Sequence, residues 1–153
     1  MDIYQEIIYC KDNTKLKEVV KGLIDRYGEF PKELKNFVKI IILRNMAENL
    51  GISKIIENKS EYIKNTVNIH ITDKFDINSV EPLIKTYGTR ISFKNSKEER
   101  EKGIITYSYK DESAKIEEIH KFLSVLKSIK VKEVEEVKEG KRINENWRNN
   151  NKH

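Results

Sequence analysis

Three histidines, one cysteine and a pair of alternating tyrosines are the side chains of this 153-residue chain whose types could do chemistry. His70, His120 and His153 are far apart, and none has a second ligand type at the short spacing a zinc site uses. His70 falls on the polar side of an alternating stretch and His120 beside the apolar stripe of a helical one. Both therefore read as surface or boundary residues. Cys10 is the only cysteine, so no disulfide or thiolate cage can form. With no nearby histidine or helix N-terminus to activate it, it reads as a small buried hydrophobe. Tyr107 and Tyr109, flanked by Lys94 and Lys110, could stack nucleic-acid bases. Ile105 shares their face, however, and core packing fits that pattern better.

Two short strings have the spelling of nucleotide chemistry without its substance. Gly140-Lys141 matches the end of a phosphate-binding loop, but Glu135 stands where the earlier glycine is needed and Arg142 where serine or threonine is needed. Asp111-Glu112-Ser113-Ala114 has the spelling of a helicase acidic box. It directly precedes an amphipathic segment, where an aspartate caps the helix and a glutamate favours its positive end. No catalytic, cofactor-binding or metal-binding residue emerges. The expectation is a non-enzymatic domain with no cofactor.

The composition narrows the class further. Charged residues make up 36% and hydrophobic ones 37%, with 30 Lys plus Arg against 25 Asp plus Glu. The net charge of +5 is mild, and lysine alternates with glutamate almost everywhere, which argues against direct nucleic-acid binding. No apolar run approaches the roughly 18 residues of a membrane span, so no membrane partner is expected. Met1-Asp2-Ile3-Tyr4 has neither the basic flank nor the apolar core of a secretory leader, and a reducing cytoplasm is the expected location.

The elements that would position these side chains are legible from periodicity. Asp2 to Lys11 places Ile3, Ile7 and Ile8 at helical spacing. After Asp12 and Asn13 as caps, Leu16, Val19, Val20, Leu23, Ile24 and Tyr27 make one stripe, stopped by Gly28 and Pro31. Leu34 to Leu50 is apolar around most of its circumference and should be the central helix; Gly51 ends it, with Ile52 folding back in a Schellman turn. Thr66 to Thr72 alternates as a half-buried strand, and a weaker strand is suggested near Lys54 to Glu57. A helix over Ile77 to Tyr87, strands over Arg90 to Lys94 and Ile104 to Tyr109, and a helix over Ser113 to Lys130 complete the pattern. The expected fold is α+β, with N-terminal helices packed on a small β-α-β-β-α sheet unit. One domain should span residues 1–130. Residues 131–153, with six basic residues against five acidic ones, should form a frayed helix or disordered tail and no basic arm.

One string is more specific than any of these patterns. Leu23-Ile24-Asp25-Arg26-Tyr27-Gly28-Glu29-Phe30-Pro31-Lys32-Glu33-Leu34, followed by Arg44, Ala47 and Leu50-Gly51-Ile52, resembles the signature of the C-terminal domain of the bacterial transcription-repair coupling factor. The resemblance covers about Ile3 to Ile129 and is specific over Leu23 to Ile55. It implies a regulatory domain of a large ATP-driven double-stranded DNA translocase that displaces stalled RNA polymerase and recruits excision repair. The domain would lie beyond the motor, without its ATP site. Its partner would be the repair-homology module of the same polypeptide, on which it would dock. Docking would hide the surface that recruits the damage-recognition ATPase of excision repair. The family's Asp-Arg pair matches Asp25 and Arg26, which the resemblance makes protein-interface residues. One departure is Gly22, where the family often has glutamate.

Two other readings remain at the level of sequence. One is a free-standing nucleic-acid-binding α+β domain; the other is a homo-oligomer joined through the Ile3, Ile7, Ile8 helix.

Overall fold

The structure is a computed structural model that describes residues 2–150, with side chains described for 2–130 and 138–140. The chain opens with three helices. In α1 (Ile3–Ile8), the Asp2 carboxylate accepts the Gln5 N–H at 2.8 Å, and Ile7 is the residue driven fully inside. The helix ends at Ile8 because the next residues turn to begin α2 (Asn13–Tyr27), where Asp12 accepts the Thr14 N–H at 2.8 Å. Leu16 and Leu23 lie at the bottom of the α2 stripe. Tyr27 departs from expectation: it occupies the last helical position, past the reach of the packed face, and its side is 66% exposed. Gly28 then takes φ 89° and donates its N–H to the Ile24 carbonyl at 2.8 Å, a backbone turn that a Cβ would strain.

Helix α3 (Lys32–Asn49) explains its own near-continuous hydrophobicity, because it serves two cores. Leu34 and Ile41 pack with Ile7, Leu16, Leu23 and Phe30 in a helical cluster. Leu43 and Ala47 turn toward a second, larger cluster built on the sheet. Ile40 lies between the two and is half exposed, so the helix is central without being wholly buried.

The chain leaves α3 at Gly51, whose φ is 79°; an added Cβ there would collide with the backbone of Lys74 and Phe75. The Gly51 N–H donates to the Glu48 carbonyl at 3.3 Å, and Ile52 joins the buried cluster that holds Ala47 and Leu50. It begins strand β1 (Ile52–Glu57), longer than its weak sequence pattern suggested, because the neighbouring strand supplies the pairing. Strand β2 (Thr66–Thr72) pairs antiparallel with β1 and with β4 (Glu101–Ser108), and β3 (Ile91–Lys94) closes the far edge, giving the order β1-β2-β4-β3. Between β2 and β3, the Asp76 carboxylate starts a 3-10 turn that leads into α4 (Val80–Tyr87). The observed fold is therefore α+β, three helices followed by β-β-α-β-β-α.

Register aligns Val67 with Tyr107 and Ile69 with Ile105, so one face of the sheet is apolar and lies under α3, α4 and α5 (Lys115–Asn150). Phe122 is completely buried against Tyr87 and Tyr107, at ring-centroid distances of 5.3 and 4.8 Å. The backbone of α5 stays helical past Lys130, where the composition changes, to Asn150. The Trp147 side chain lies outside the described residues. No helix among the described residues is long and apolar enough to cross a membrane.

Candidate interface site

Asp25 and Arg26 stand in the last turn of α2, both on the surface. The helix places them there because Leu23 and Ile24 have already filled the buried side of that turn. Adjacent helical positions point in different directions, and the two side chains part accordingly. Arg26 turns toward α1, with its guanidinium 3.8 Å from the Glu6 carboxylate and 5.5 Å above the ring centre of Tyr27. Asp25 flanks a shallow groove of about 270 Å³ between α2 and α3, whose walls are Leu16, Val20, Ile24, Val38 and Ile42. Lys17 and Lys21 border the same groove. An acidic rim residue beside half-buried aliphatic side chains is the usual anatomy of a protein-docking patch, apolar at the centre and polar at the edge. Gly22, one turn before Asp25, has open space where a side chain would be.

The other residues of the signature hold the fold. Arg44 donates to the carbonyls of Ile8 and Cys10, at 2.8 and 3.1 Å, and so ties off the end of α1. Its neighbour Asn45 is 1% exposed and fully engaged, donating to the Cys10 carbonyl and to the Asn13 side chain, each at 2.9 Å. Asn45 was missed in the sequence; an amide in the middle of an apolar helix was the signal, since such a group must find partners inside. Cys10 is only partly buried, and its carbonyl rather than its thiol does the structural work.

The remaining ionisable clusters are also internal. Arg90, likewise overlooked, donates to the Tyr107 hydroxyl at 2.9 Å, to the Glu118 carboxylate at 3.2 Å and to the Ser108 carbonyl at 3.2 Å. Burial raises the Glu118 carboxyl, but the N–H groups of Lys110 and Asp111 and the Arg90 charge outweigh it and hold it low. Desolvation raises the Tyr107 hydroxyl, so it stays a neutral acceptor for Arg90. His70 shares a hydrogen bond of 2.9 Å with Glu101 on the open face of the sheet. Lys115 meets Glu57 at 2.6 Å, a hydrogen bond that raises the lysine. Tyr107 and Tyr109 lie in the core, 2% and 8% exposed, and do not form a stacking surface. His120 is exposed. Among the described residues no group of three or more histidine, cysteine or carboxylate side chains is placed to hold a metal ion.

The sequence matches the model of the TRCF domain over residues 1–81. No curated protein matches it. Among solved structures, the fold is similar to one described as the C-terminal domain of transcription-repair coupling factor. That match has a TM-score of 0.63 and 18% identity, and covers 85% of this chain and 80% of the other. The matched segment contains α1 to α3 with Asp25, Arg26, Arg44 and Gly51, together with the first two strands of the sheet, and on that span the chain belongs to the TRCF domain family.

Proposed function

We propose that this chain is a non-catalytic regulatory domain of an ATP-driven DNA translocase in transcription-coupled excision repair. It acts by docking on the repair-homology module of its own polypeptide. While docked, it masks the surface that recruits the damage-recognition ATPase; translocation past stalled RNA polymerase releases it. This is a two-state device, in which an intramolecular interface biases one arrangement until a competing event offsets it.

The observation that carries the reading is the position of Asp25. The residue lies inside the family match, outside the core, and at the rim of an apolar groove. Arg26 adds a second contact on the adjoining α1 side, where its exposed pairing with Glu6 is weak enough to be exchanged for a partner's carboxylate. Among the described residues, the clusters around Arg90, Glu101 and Lys115 hold strands and helices together.

The test is a charge reversal. The variant Asp25→Arg with Arg26→Glu removes exposed charges only, so its folding stability should change by tenths of a kcal/mol. At a desolvated interface the same change leaves partner charges unpaired and costs about 2–5 kcal/mol of docking. Titration of the chain against the separately produced repair-homology module should therefore show binding weakened by more than about tenfold. Unchanged binding by a well-folded variant would remove Asp25 and Arg26 from the interface.

A further inference from the structure

Strand β1 stands at the edge of the sheet. The Asn58 N–H donates to the Thr66 carbonyl at 3.0 Å, and the register then makes Ile56–Asn68 and Lys54–His70 the pairs that exchange hydrogen bonds. The main-chain groups of Ile55 and Glu57 alternate with these and point away from β2, where they meet no partner among the described residues. Backbone in that state is a template for another strand. Natural edges are guarded by a proline or an outward lysine. Strand β1 holds no proline, and Lys54 leans over the open face of the sheet toward Glu101, 3.7 Å away.

Both layers of the fold carry unused apolar surface beside this edge. On the open face of the sheet, Ile56 is 46% exposed. On the helix side Ile40, 50% exposed, stands at a groove of about 450 Å³ between α3, β1 and α5, walled by Leu43, Ala47, Ile55 and Ile116. Val38 and Ile42, which line the groove beside Asp25, lie on the opposite side of α3 from Ile40, Leu43 and Ala47. The two surfaces are therefore separate.

We propose that β1 pairs antiparallel with β1 of a second copy of this chain, across a two-fold axis at Ile56. The two sheets then join into one of eight strands, four from each copy. What commits the edge to its own copy is the self-complementarity that such an isologous contact needs. Outward main-chain groups sit on odd-numbered positions, so the axis must pass a single residue of β1. An axis at position 57 would set Glu57 against Glu57, and one at 54 would set Lys54 against Lys54, both repulsive. An axis at 55 would lay Lys54 beside the apolar Ile56. At 56, Ile56 stacks on its own copy, and Lys54 stands opposite the neutral Asn58. Ile55 of each copy then exchanges two hydrogen bonds with Glu57 of the other. The added strand also brings a second Ile55 to the helix side, next to the groove under Ile40.

The experiment is sedimentation velocity of the 153-residue chain over about a hundredfold range of concentration, where monomer should give way to dimer by mass action. Ile56→Lys places like charges at the axis and should weaken the dimer at least about tenfold. Its exposed site should leave the circular dichroism unchanged. The register is read with cysteines in a Cys10→Ser background. The two copies of position 56 should lie about 4.5 Å apart between Cα atoms, within disulfide reach. Ile56→Cys should therefore oxidise to a cross-linked dimer much faster than Lys54→Cys, whose two copies would lie about 13 Å apart along the strands. If Ile56→Lys fails to fold, the cysteine pair decides alone. A chain that stays monomeric leaves the edge to another protein's strand and overturns the proposal. A dimer indifferent to Ile56→Lys, or equal cross-linking at 54 and 56, overturns it too. Ile56→Lys should leave the titration against the repair-homology module unchanged, because the Asp25 groove is on the other side of α3, so either reading can fail without the other.

Discussion

At the scale of single residues, the informative side chains are those whose charge is used inside the molecule. Glu101 shows how such a role becomes measurable. The His70 hydrogen bond at 2.9 Å holds its carboxyl below the ordinary glutamate value of 4.5, against desolvation, with Ser96 and Lys54 adding to the effect. A carboxyl lowered by folding stabilises the native state above the unfolded-state value, and that contribution is lost as pH falls through the folded-state value. Thermal stability should thus decline as pH drops below about 4.5, and His70→Ala should flatten that decline relative to the parent. Melting temperatures of both proteins from pH 7 to pH 3 provide the check; parallel curves would mean the pair does nothing for stability. His70 was read from the sequence as a boundary residue, and its place beside the edge of β4 was invisible there. Only register brings residue 101 next to residue 70, through the irregularity between Ile71 and Thr72. Asp25 and Arg26 could be singled out because they fall in a string of residues spaced by helix stop and start signals, and the structure places both on the surface.

At the scale of elements, punctuation carried most of the sequence reading, and two glycines show what it can and cannot say. Gly28 and Gly51 both end helices at positive φ, as their positions suggested. Nothing in the sequence distinguished Gly51 as a point of contact, yet the backbone of Lys74 and Phe75 lies against it, and its carbonyl accepts both the N–H and the hydroxyl of Thr72 at 2.9 and 2.8 Å. Gly51→Ala should cost more than the 1–3 kcal/mol or so of backbone strain alone, because the collision is with main chain that has no rotamer to change. Gly22 is the opposite case, inside α2 with nothing within 4 Å of an added Cβ. Gly22→Ala should stabilise by about 1 kcal/mol. Chemical denaturation of the two variants should move the midpoint in opposite directions, and a stable Gly51→Ala protein would show that the α3–β1 turn relaxes. Strand β1 was weak in sequence because its residues alternate poorly: Ser53 and Lys54 are both exposed, where a bulge interrupts the register. Beyond Lys130 the expectation was a frayed helix or a disordered tail, and the backbone of α5 stays helical to Asn150.

At the scale of the whole molecule, α3 contributes buried residues to both hydrophobic clusters, and that arrangement bears on how the domain would act as a switch. Ile7, Leu16, Leu23 and Phe30 hold α1 and α2 to the first half of α3, while the sheet, α4 and α5 close over its second half. The sheet cluster is the larger, with Val67, Ile69, Ile71 and Leu83 at 0% exposure. The helical cluster buries fewer residues, and its groove beside Asp25 leaves Val20, Ile24, Val38 and Ile42 partly open to water. Local stability follows the apolar area buried per element, so α1 and α2 should open at a lower free energy than the sheet. Native-state amide exchange should show two levels: α1 and α2 amides exchanging through a partial opening, and β2 and β4 amides only through global unfolding. Leu23→Ala, which empties a fully buried site in the helical cluster, should cost about 2–5 kcal/mol. Its effect should appear in full on the α1 and α2 amides. The sheet amides, which exchange through global unfolding from the same native state, should lose the same amount as long as the native state stays the populated form. A partner seated on the groove binds only the form with α1 and α2 in place and so stabilises it against both openings; adding the repair-homology module should slow exchange in α1 and α2 and raise the sheet level by the same amount. Exchange at one uniform level in the free chain would mean that α3 couples the two clusters into a single cooperative unit, and docking would then have to work without loosening the helical layer.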